Sequence, residues 1–530
     1  MLIQEMLFLT RQQGKPASRP MRLILMIASA GVLFAGNSLA DTYTVNSRSD
    51  RPDNNIGDGV CDTGINIFPF GFDECTLRAA IEEANATPNN SPLSRDRINF
   101  DSPALAGNID ITLESALPEI TESLYIAGRS ATAYDGTDPW AAPVVRIAPG
   151  PGLEIDGLVF ATGANGSQVS ALALQGFHSG SDPRSAIILR SDGNAITDCN
   201  IGLGQVPLRG NDIGISIEGD DNTIGCAFVT NELVCSTWGN VIARSDIHGI
   251  GVLGEGNKIQ GNRIGTNPEG TASSENESGN GDGIVVKTGA SGTLIGGVAG
   301  FSLRGNLISG NNRGILVEQY PSETVTTIQS NFIGTDASGT SAIPNQIGVE
   351  VNLITRDGCS DRYGCVFVAS SDDFLLIGGP LPSEGNLISG NQKQGLLIDS
   401  LNWTEQLSFE FPFGFDLSDS TRLIQNNIIG LNADQTQALP NAVGAVFRDT
   451  HDFVLQGNTI AGNSLKDFGG ASDDVPWLPV LDAEPLFLVE GGALAYFTLV
   501  DNTIGTNPDG TILTSYNDRA AISIEGYNHR

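Results

Sequence analysis

Short runs of aliphatic residues, each preceded by glycine, recur through most of the chain. They read Gly-Ile-Val-Val at 283–286, Gly-Val-Glu-Val at 348–351 and Gly-Ala-Val-Phe at 444–447. A run of this length cannot bury its own apolar face, whereas stacked coils bury it against the coils on either side. The frequent glycines between the runs disfavour helices. The pattern therefore predicts an all-β solenoid, rather than a sandwich, over most of the sequence.

Two longer motifs, each present four times, punctuate these runs. The heptapeptide Gly-Asn-x-Ile-x-Gly-Asn occupies 256–262, 305–311, 385–391 and 457–463. A second motif of ten residues occupies 262–271, 331–340, 427–436 and 502–511. A glycine and an aliphatic strand follow this motif, and residues 211–217 are an earlier copy of that strand. Gly and Asn adopt the tight or left-handed backbone that corners need. Asn side chains in register also stack their amides, so we expect hydrogen-bonded asparagine ladders.

Four stretches without the repeat are predicted to be inserted loops. They cover 219–238, 356–375, 401–421 and 465–497, and the last two are the most aromatic parts of the repeat region. Loops on a regular scaffold commonly carry function. The alternative is that they fold back as hydrophobic covers over the coils.

The segment before the repeats is predicted to contain one short amphipathic helix at 76–85. Thr76 is a suitable N-cap, and Leu77, Ala80, Ile81 and Ala84 form a single apolar stripe. Such a helix would cover the open end of the solenoid, because terminal repeats need a polar outer face. Residues 41–135 are therefore interpreted as a cap with the first coils, and residues 136–530 as the solenoid.

Residues 1–40 are predicted to be an export signal, with translation starting at Met21. An apolar run from 23 to 36 follows Arg22, and a small-x-small sequence ends at Ala40, so we expect cleavage between Ala40 and Asp41. The run is shorter than the roughly 20 residues of a membrane span. These features predict an extracellular, cell-surface or periplasmic protein with no membrane span after cleavage.

The net charge and the cysteine content limit which partners and which cellular compartment are expected for the protein. The formal net charge of -33 makes a nucleic acid partner unexpected. The seven cysteines fit an oxidising compartment. We expect disulfides within three close pairs, and expect Cys199, flanked by apolar residues, to be a buried free thiol. The pairs are Cys61 with Cys75, Cys226 with Cys235, and Cys359 with Cys365. No Cys-x-x-Cys motif occurs and only four His are present, so no zinc site is predicted.

The cap sequence resembles the CSLREA domain, a module named for its Cys-Ser-Leu-Arg-Glu-Ala signature. Here the signature reads Cys-Thr-Leu-Arg-Ala-Ala at 75–80, after matching segments at 44–46 and 59–61. Ala79 replaces the signature glutamate and removes a possible capping-box partner. The remaining repeats resemble the right-handed parallel β-helix of the pectin-lyase-like superfamily. The resemblance implies export and this fold, and it implies no particular reaction.

Many β-helix proteins act on polysaccharides, so carboxylates and basic residues in a suitable pattern would be candidate catalytic residues. Of the polygalacturonase motifs, only Gly-Asp-Asp is present, with Asp220 and Asp221, and the Asn-Thr-Ile-Gly that follows suggests that they form a coil corner. A lyase needs an Arg or Lys base, for which Arg263 and Arg244 are candidates.

Calcium is the one cofactor that the sequence allows. Asp53, Asn55 and Asp58 are oxygen donors in a loop that contains glycine. The glutamate that closes an EF-hand loop is missing, and an ordinary Asx-turn loop is the alternative.

The leading functional hypothesis is an exported, non-catalytic scaffold that contacts a carbohydrate, a cell surface or another protein. The alternative is a polysaccharide lyase or glycoside hydrolase. Acidic residues from successive coils that converge beside an arginine would favour the enzyme, and a groove filled by the aromatic loops would favour the scaffold. A third possibility is that the chain is part of a larger surface protein.

Overall fold

The computed structural model describes the greater part of Leu39–Arg530. The described residues are 40–89, 95–138, 140–203, 210–225, 228–229, 232–233, 239–274, 279–297, 305–319, 325–354, 375–401, 422–448, 453–463, 487–490, 497–510 and 522–524. The export signal before Ala40 and most of the four predicted loops lie outside them, so those assignments stay predictions.

Three long parallel sheets, called sheets 1, 2 and 3, contain most of the described strands. Sheet 1 consists of Thr42–Thr44, Asp96–Asn99, Leu124–Ala127, Gln168–Ser170, Ala195–Thr197, Thr223–Gly225, Lys258–Gln260, Leu294–Gly296, Thr326–Gln329, Leu375–Gly378, Arg422–Gln425, Phe453–Gln456 and Phe497–Val500. Sheet 2 consists of Ile109–Leu113, Val145–Pro149, Leu172–Leu174, Asn200–Ile201, Val241–Ile242, Arg263–Ile264, Leu307–Ile308, Phe332–Ile333, Leu387–Ile388, Ile428–Ile429, Thr459–Ile460 and Thr503–Ile504. Sheet 3 consists of Leu158–Phe160, Ser185–Leu189, Asn211–Ile217, Ser245–Val252, Asp282–Val286, Arg313–Gln319, Ile347–Ile354, Gln394–Leu401, Val443–Arg448, Phe487–Glu490 and Ile522–Ile524.

From residue 168 onward, the described strands of sheets 1, 2 and 3 follow one another in that order along the chain, and each strand pairs in parallel with its counterpart in the next coil. The predicted right-handed parallel β-helix is therefore confirmed. Its core consists of aliphatic stacks. In sheet 3 one such stack is fully buried and in register, and comprises Ile187, Ile215, Ile250, Ile284, Ile315 and Val349.

The glycine before each aliphatic run is required by the close approach of successive coils. A Cβ atom on Gly314 would lie 2.5 Å from the carbonyl oxygen of Gly348, the equivalent glycine one coil later. Gly283 meets the carbonyl of Gly314 at the same distance. A side chain at this corner would thus clash with the main chain of the next coil, which explains why the Gly-aliphatic pattern repeats.

Asparagine ladders run along two corners, as predicted. Between sheets 1 and 2 each side chain donates to the next at 2.9–3.0 Å, through Asn240, Asn262, Asn306, Asn331, Asn386, Asn427, Asn458 and Asn502. Between sheets 2 and 3 the ladder comprises Asn280, Asn311, Asn345, Asn391, Asn441 and Asn463. The amides satisfy main-chain groups that the corners leave without a strand partner.

One copy of the heptapeptide occupies a different side of the coil from the others. The strands inside the copies at 305–311, 385–391 and 457–463 belong to sheet 2, whereas Lys258–Gln260, inside the copy at 256–262, belongs to sheet 1. The second motif always places its strand in sheet 2. The heptapeptide is therefore a corner-strand-corner unit that fits more than one side of the solenoid.

The single α-helix among the described residues, Leu77–Ala86, matches the predicted helix closely. The Thr76 side chain accepts the N–H of Ala79 at 3.0 Å, as an N-cap should. The predicted apolar stripe is buried in the same cluster as Tyr43 and Ile98 of the first two sheet 1 strands. The helix thus covers the N-terminal end of the core.

The rest of the cap is held by the predicted disulfide and by the buried charged side chains of Asp50, Arg78 and Glu83. Cys61 and Cys75 are bonded. Arg78 pairs with Asp50 at 2.7 Å, and Glu83 accepts the N–H groups of Gly57 and Gly59. Two short hairpins, Asn66–Ile67 with Phe72–Asp73 and Phe228–Val229 with Glu232–Leu233, and two 3-10 helices, Gly128–Ser130 and Pro382–Glu384, complete the described elements.

One further prediction about the cysteines is confirmed, and two lie outside the described residues. Cys199 is a buried free thiol, as predicted. The pairs Cys226 with Cys235 and Cys359 with Cys365 lie outside the described residues. No helix in the described part of the chain is long and apolar enough to span a membrane.

Candidate functional site

Asp220 and Asp221, the predicted catalytic carboxylates, lie at the corner between sheets 3 and 1. The Asp220 carboxylate accepts the N–H of Glu255 at 2.7 Å, and the N–H of Asp220 donates to Asp192 at 2.9 Å. Asp221 has a left-handed backbone, with a φ of 54°. Aspartates that bond the main chain in this way stabilise turns. The arrangement supports the corner interpretation that the sequence suggested.

Arg263, the predicted candidate base, begins a strand of sheet 2 on another side of the coil. Its guanidinium carbon lies 3.6 Å from the centroid of the Trp140 ring, and burial lowers the pKa of Arg263 to about 10. None of the described hydrogen bonds or ion pairs brings Arg263 together with Asp220 or Asp221. Trp140, which the sequence analysis did not select, packs over this arginine from an earlier coil.

The predicted calcium loop uses its oxygen atoms in local hydrogen bonds. Asp53 accepts the N–H groups of Asn55 and Asp62, both at 2.8 Å. Asp58 accepts the N–H of Val60 and the side-chain amide of Asn55, both at 2.9 Å. These are the bonds of an Asx-turn loop. Calcium binding at this loop stays a prediction.

A group that the sequence analysis missed consists of His178, Asp212 and Asp246. One potential ligand atom from each lies within 4.8 Å of the others, and this is the only such group found in the described part of the chain. His178 Nδ1 contacts a carboxylate oxygen of Asp212 and lies 3.7 Å from one of Asp246. The three residues come from successive coils: Asp212 and Asp246 lie at the start of their sheet 3 strands, and His178 lies in the connection before the strand Ser185–Leu189.

A second group forms a polar lane along the outer face of sheet 3. The polar lane consists of His248, Asp282, Arg313 and Glu350, one from each of four successive strands. Arg313 binds Asp282 through two nitrogens, at 2.7 and 2.8 Å, and its third lies 3.6 Å from Glu350. The Arg313 side chain is 30% exposed, so it is within reach of a ligand.

The electrostatics of the polar lane fix its charge states. The hydrogen bonds that Arg313 donates to Asp282 raise the pKa of Arg313 above its ordinary value. Burial, and to a smaller degree Lys287, lower the pKa of His248 to about 4, so its imidazole is neutral near pH 7. The polar lane therefore offers a cation, two carboxylates and a neutral ring that can donate and accept hydrogen bonds.

A sequence signal for both groups existed in the coil length. His178, Asp212 and Asp246 are spaced 34 residues apart, and so are His248 and Asp282. Asp212, Asp246 and Asp282 each lie near the start of a Gly-aliphatic strand. Aligning those strands by their glycines would have brought His248 and Asp282 together, because each directly precedes its glycine. Asp212 and Asp246 lie two and three residues before theirs, His178 lies before its strand, and inserted loops make the spacing irregular in later coils.

Comparisons with known proteins give only distant structural matches. No family model matches the sequence. No curated protein matches it either. Among solved structures, the Dettilon tailspike protein (gp208) is 12% identical, with a TM-score of 0.33, over 76% of this chain and 62% of its own. This chain thus spans less than two thirds of the tailspike chain.

Two bacterial proteins give comparable matches. The A-module of the Azotobacter vinelandii mannuronan C-5 epimerase AlgE4 is 13% identical, over 86% of this chain and 94% of its own, with a TM-score of 0.34. DFA-IIIase from Arthrobacter chlorophenolicus A6 is 13% identical, over 85% and 93%, with a TM-score of 0.24.

Proposed function

We propose that this chain is an exported β-helix protein, with an N-terminal module of the CSLREA type, that binds a carbohydrate along the polar lane. The signal-like sequence before Asp41 and the disulfide between Cys61 and Cys75 support export, because disulfides persist in oxidising compartments. The role is that of a non-catalytic binding scaffold.

The observation that carries the proposal is the contact of Asp282 and Glu350 with Arg313 across successive coils. Neighbouring strands are about 4.8 Å apart, and His248, Asp282 and Arg313 are in register, so these three present donors and acceptors in a row along the solenoid axis. Glu350 pairs in register with Leu316 and lies beside that row, where the Arg313 side chain reaches it. A polymer of sugar rings carries hydroxyl groups that both donate and accept, in a row of its own. Arg313 donates and the two carboxylates accept, so one extended chain can bond to several coils.

A purely structural cross-coil ion pair is the competing explanation, and a matched variant separates the two. We would apply the mature chain from Asp41 to a glycan array, and compare Arg313→Ala with Arg146→Ala. Arg146 forms the equivalent cross-coil pair with Asp110 on sheet 2, outside the polar lane. Retention of wild type and R146A with loss of binding by R313A supports the polar lane. Equal binding by all three, or by none, contradicts it.

A polysaccharide lyase or glycoside hydrolase is the second candidate. One observation favours it: Asp282 and Glu350, from neighbouring coils, converge beside Arg313. Glycoside hydrolysis requires two carboxyl groups placed close together. An assay for reducing sugars and unsaturated products on acidic and neutral polysaccharides, with and without calcium, separates the candidates. Cleavage that is lost in Asp282→Asn would replace the scaffold proposal, and binding without cleavage would retain it.

A further inference from the structure

The group of His178, Asp212 and Asp246 has the composition of a metal site. An imidazole nitrogen and two carboxylate oxygens come from three successive coils and lie within 4.8 Å of one another. The set is not simply acidic, since the imidazole lies between the carboxylates and can bind a metal through a ring nitrogen. Neutral imidazole is the commonest metal ligand among protein side chains.

Asp212 is held in position as metal ligands commonly are. It is 4% exposed, and one of its carboxylate oxygens accepts the N–H groups of Ser179 and Arg184, both at 2.9 Å. The other oxygen is directed at His178. Partners of this kind orient a ligand before the metal arrives and raise its affinity.

The loop that supplies those N–H groups is fixed by two more carboxylates. Glu154 accepts the hydroxyl of Ser179 at 2.9 Å, and Asp156 accepts the N–H of Ser185 at 2.9 Å and pairs with Arg184 at 3.3 Å. The buried side of the group is therefore preorganised. Asp246, whose side chain is 67% exposed, supplies the open side through which an ion can enter.

We propose that His178, Asp212 and Asp246 bind one divalent transition-metal ion of the zinc type, which joins three successive coils. Calcium and magnesium prefer sites made entirely of oxygen ligands, whereas imidazole suits zinc, nickel and copper. Three protein ligands leave one position of a tetrahedral ion for water. The site does not depend on carbohydrate binding, and it departs from the sequence-based expectation that no zinc site exists.

The test uses the mature chain from Asp41, freed of metal by chelation and dialysis, and titrated with zinc chloride by calorimetry. We expect one equivalent to bind and the thermal midpoint to rise, since an ion that binds only the folded state stabilises it. Asp246→Ala removes the exposed ligand with little risk to folding. It should weaken zinc binding by at least about 10-fold, because loss of a residue that only hydrogen-bonds to a metal ligand already lowers metal affinity by about that factor.

Asp182→Ala is the matched control, because Asp182 is an exposed carboxylate of the same loop that lies outside the group. It should bind zinc as wild type does. His178→Gln is a second variant that removes a ligand. Titration with cobalt reports on the metal itself, because the visible absorption of the bound cobalt should differ between wild type and H178Q. No stoichiometric zinc binding, unchanged affinity in D246A, or tighter binding of calcium than of zinc would each overturn the proposal. Glycan binding by the zinc-free chain is measured separately, so failure of one proposal does not imply failure of the other.

Discussion

At the level of single residues, Asp198 and Cys199 are two titratable residues that lie buried at the corner between sheets 1 and 2. Asp198 has a φ of 60°, pairs with Arg129 at 2.5 Å and accepts the hydroxyl of Tyr134 at 3.2 Å. Burial outweighs the effect of Arg129 and raises the pKa of Asp198 to about 6. Burial also raises the pKa of the Cys199 thiol to about 12, so this cysteine should be unreactive in the folded protein.

The raised pKa of Asp198 predicts a dependence of stability on pH. The folded state holds the proton more tightly than the unfolded state, whose carboxyl has a pKa near 3.8. Its contribution to stability is therefore fully present below about pH 4 and is lost as the pH rises through about 6, by ~3 kcal/mol at most. Asp198→Asn removes this titration and tolerates the left-handed backbone. Urea unfolding at pH 4 and pH 7 should show a smaller loss of stability in the variant than in wild type, and equal losses would contradict the assignment.

At the level of elements, the asparagine ladder between sheets 1 and 2 joins successive coils at a corner. The main chain there lacks the strand partners that it has within a sheet, and the asparagine amides take their place. Asn331 accepts the main-chain N–H and the side-chain amide of Asn306, and donates to Ile295 and Asn386, all at 3.0 Å. Every one of these groups is buried. A gap in the ladder would leave donors and acceptors without partners where water does not reach.

Asn331→Ala is therefore expected to lower the free energy of unfolding by about 2–4 kcal/mol, because a buried group left unsatisfied costs ~1–3 kcal/mol. Asn502→Ala is the control, since Asn502 is the last described member of the same ladder and is only partly buried. Its loss should be less than half as large. Chemical denaturation of both variants measures the difference, and equal effects would mean that position along the ladder is unimportant.

At the level of the whole molecule, stability should be local, because each coil contacts only its neighbours. The cap differs from the coils, because it contains a helix and a disulfide instead of the repeated sequence. A disulfide that closes a loop of this length, with a separation of 14 residues, contributes about 3 kcal/mol. Its effect should be confined to the N-terminal end.

We expect the double variant Cys61→Ser, Cys75→Ser to exchange amide hydrogens faster in the cap and in the first strands of sheet 1. Exchange in the distant coils at 282–354 should be unchanged. Cys199→Ser is the control for loss of a thiol without loss of a bond. Faster exchange along the entire solenoid would show instead that the coils unfold as one unit.

The sequence by itself determined the repeating fold, the cap helix and the pairing of Cys61 with Cys75. Each depends on local chemistry: glycine where two coils approach, asparagine where a corner needs an amide, a threonine N-cap before an apolar stripe, and cysteines close in the chain. Only the tertiary structure decided which side of the coil each heptapeptide occupies, since the same corner-strand-corner unit fits several sides. It also decided that His178, which precedes its sheet 3 strand, meets Asp212 and Asp246, a contact for which the sequence offered only the even spacing, and that Arg263 lies apart from Asp220 and Asp221. Those relations depend on how many residues each coil contains, and the inserted loops change that number from one coil to the next.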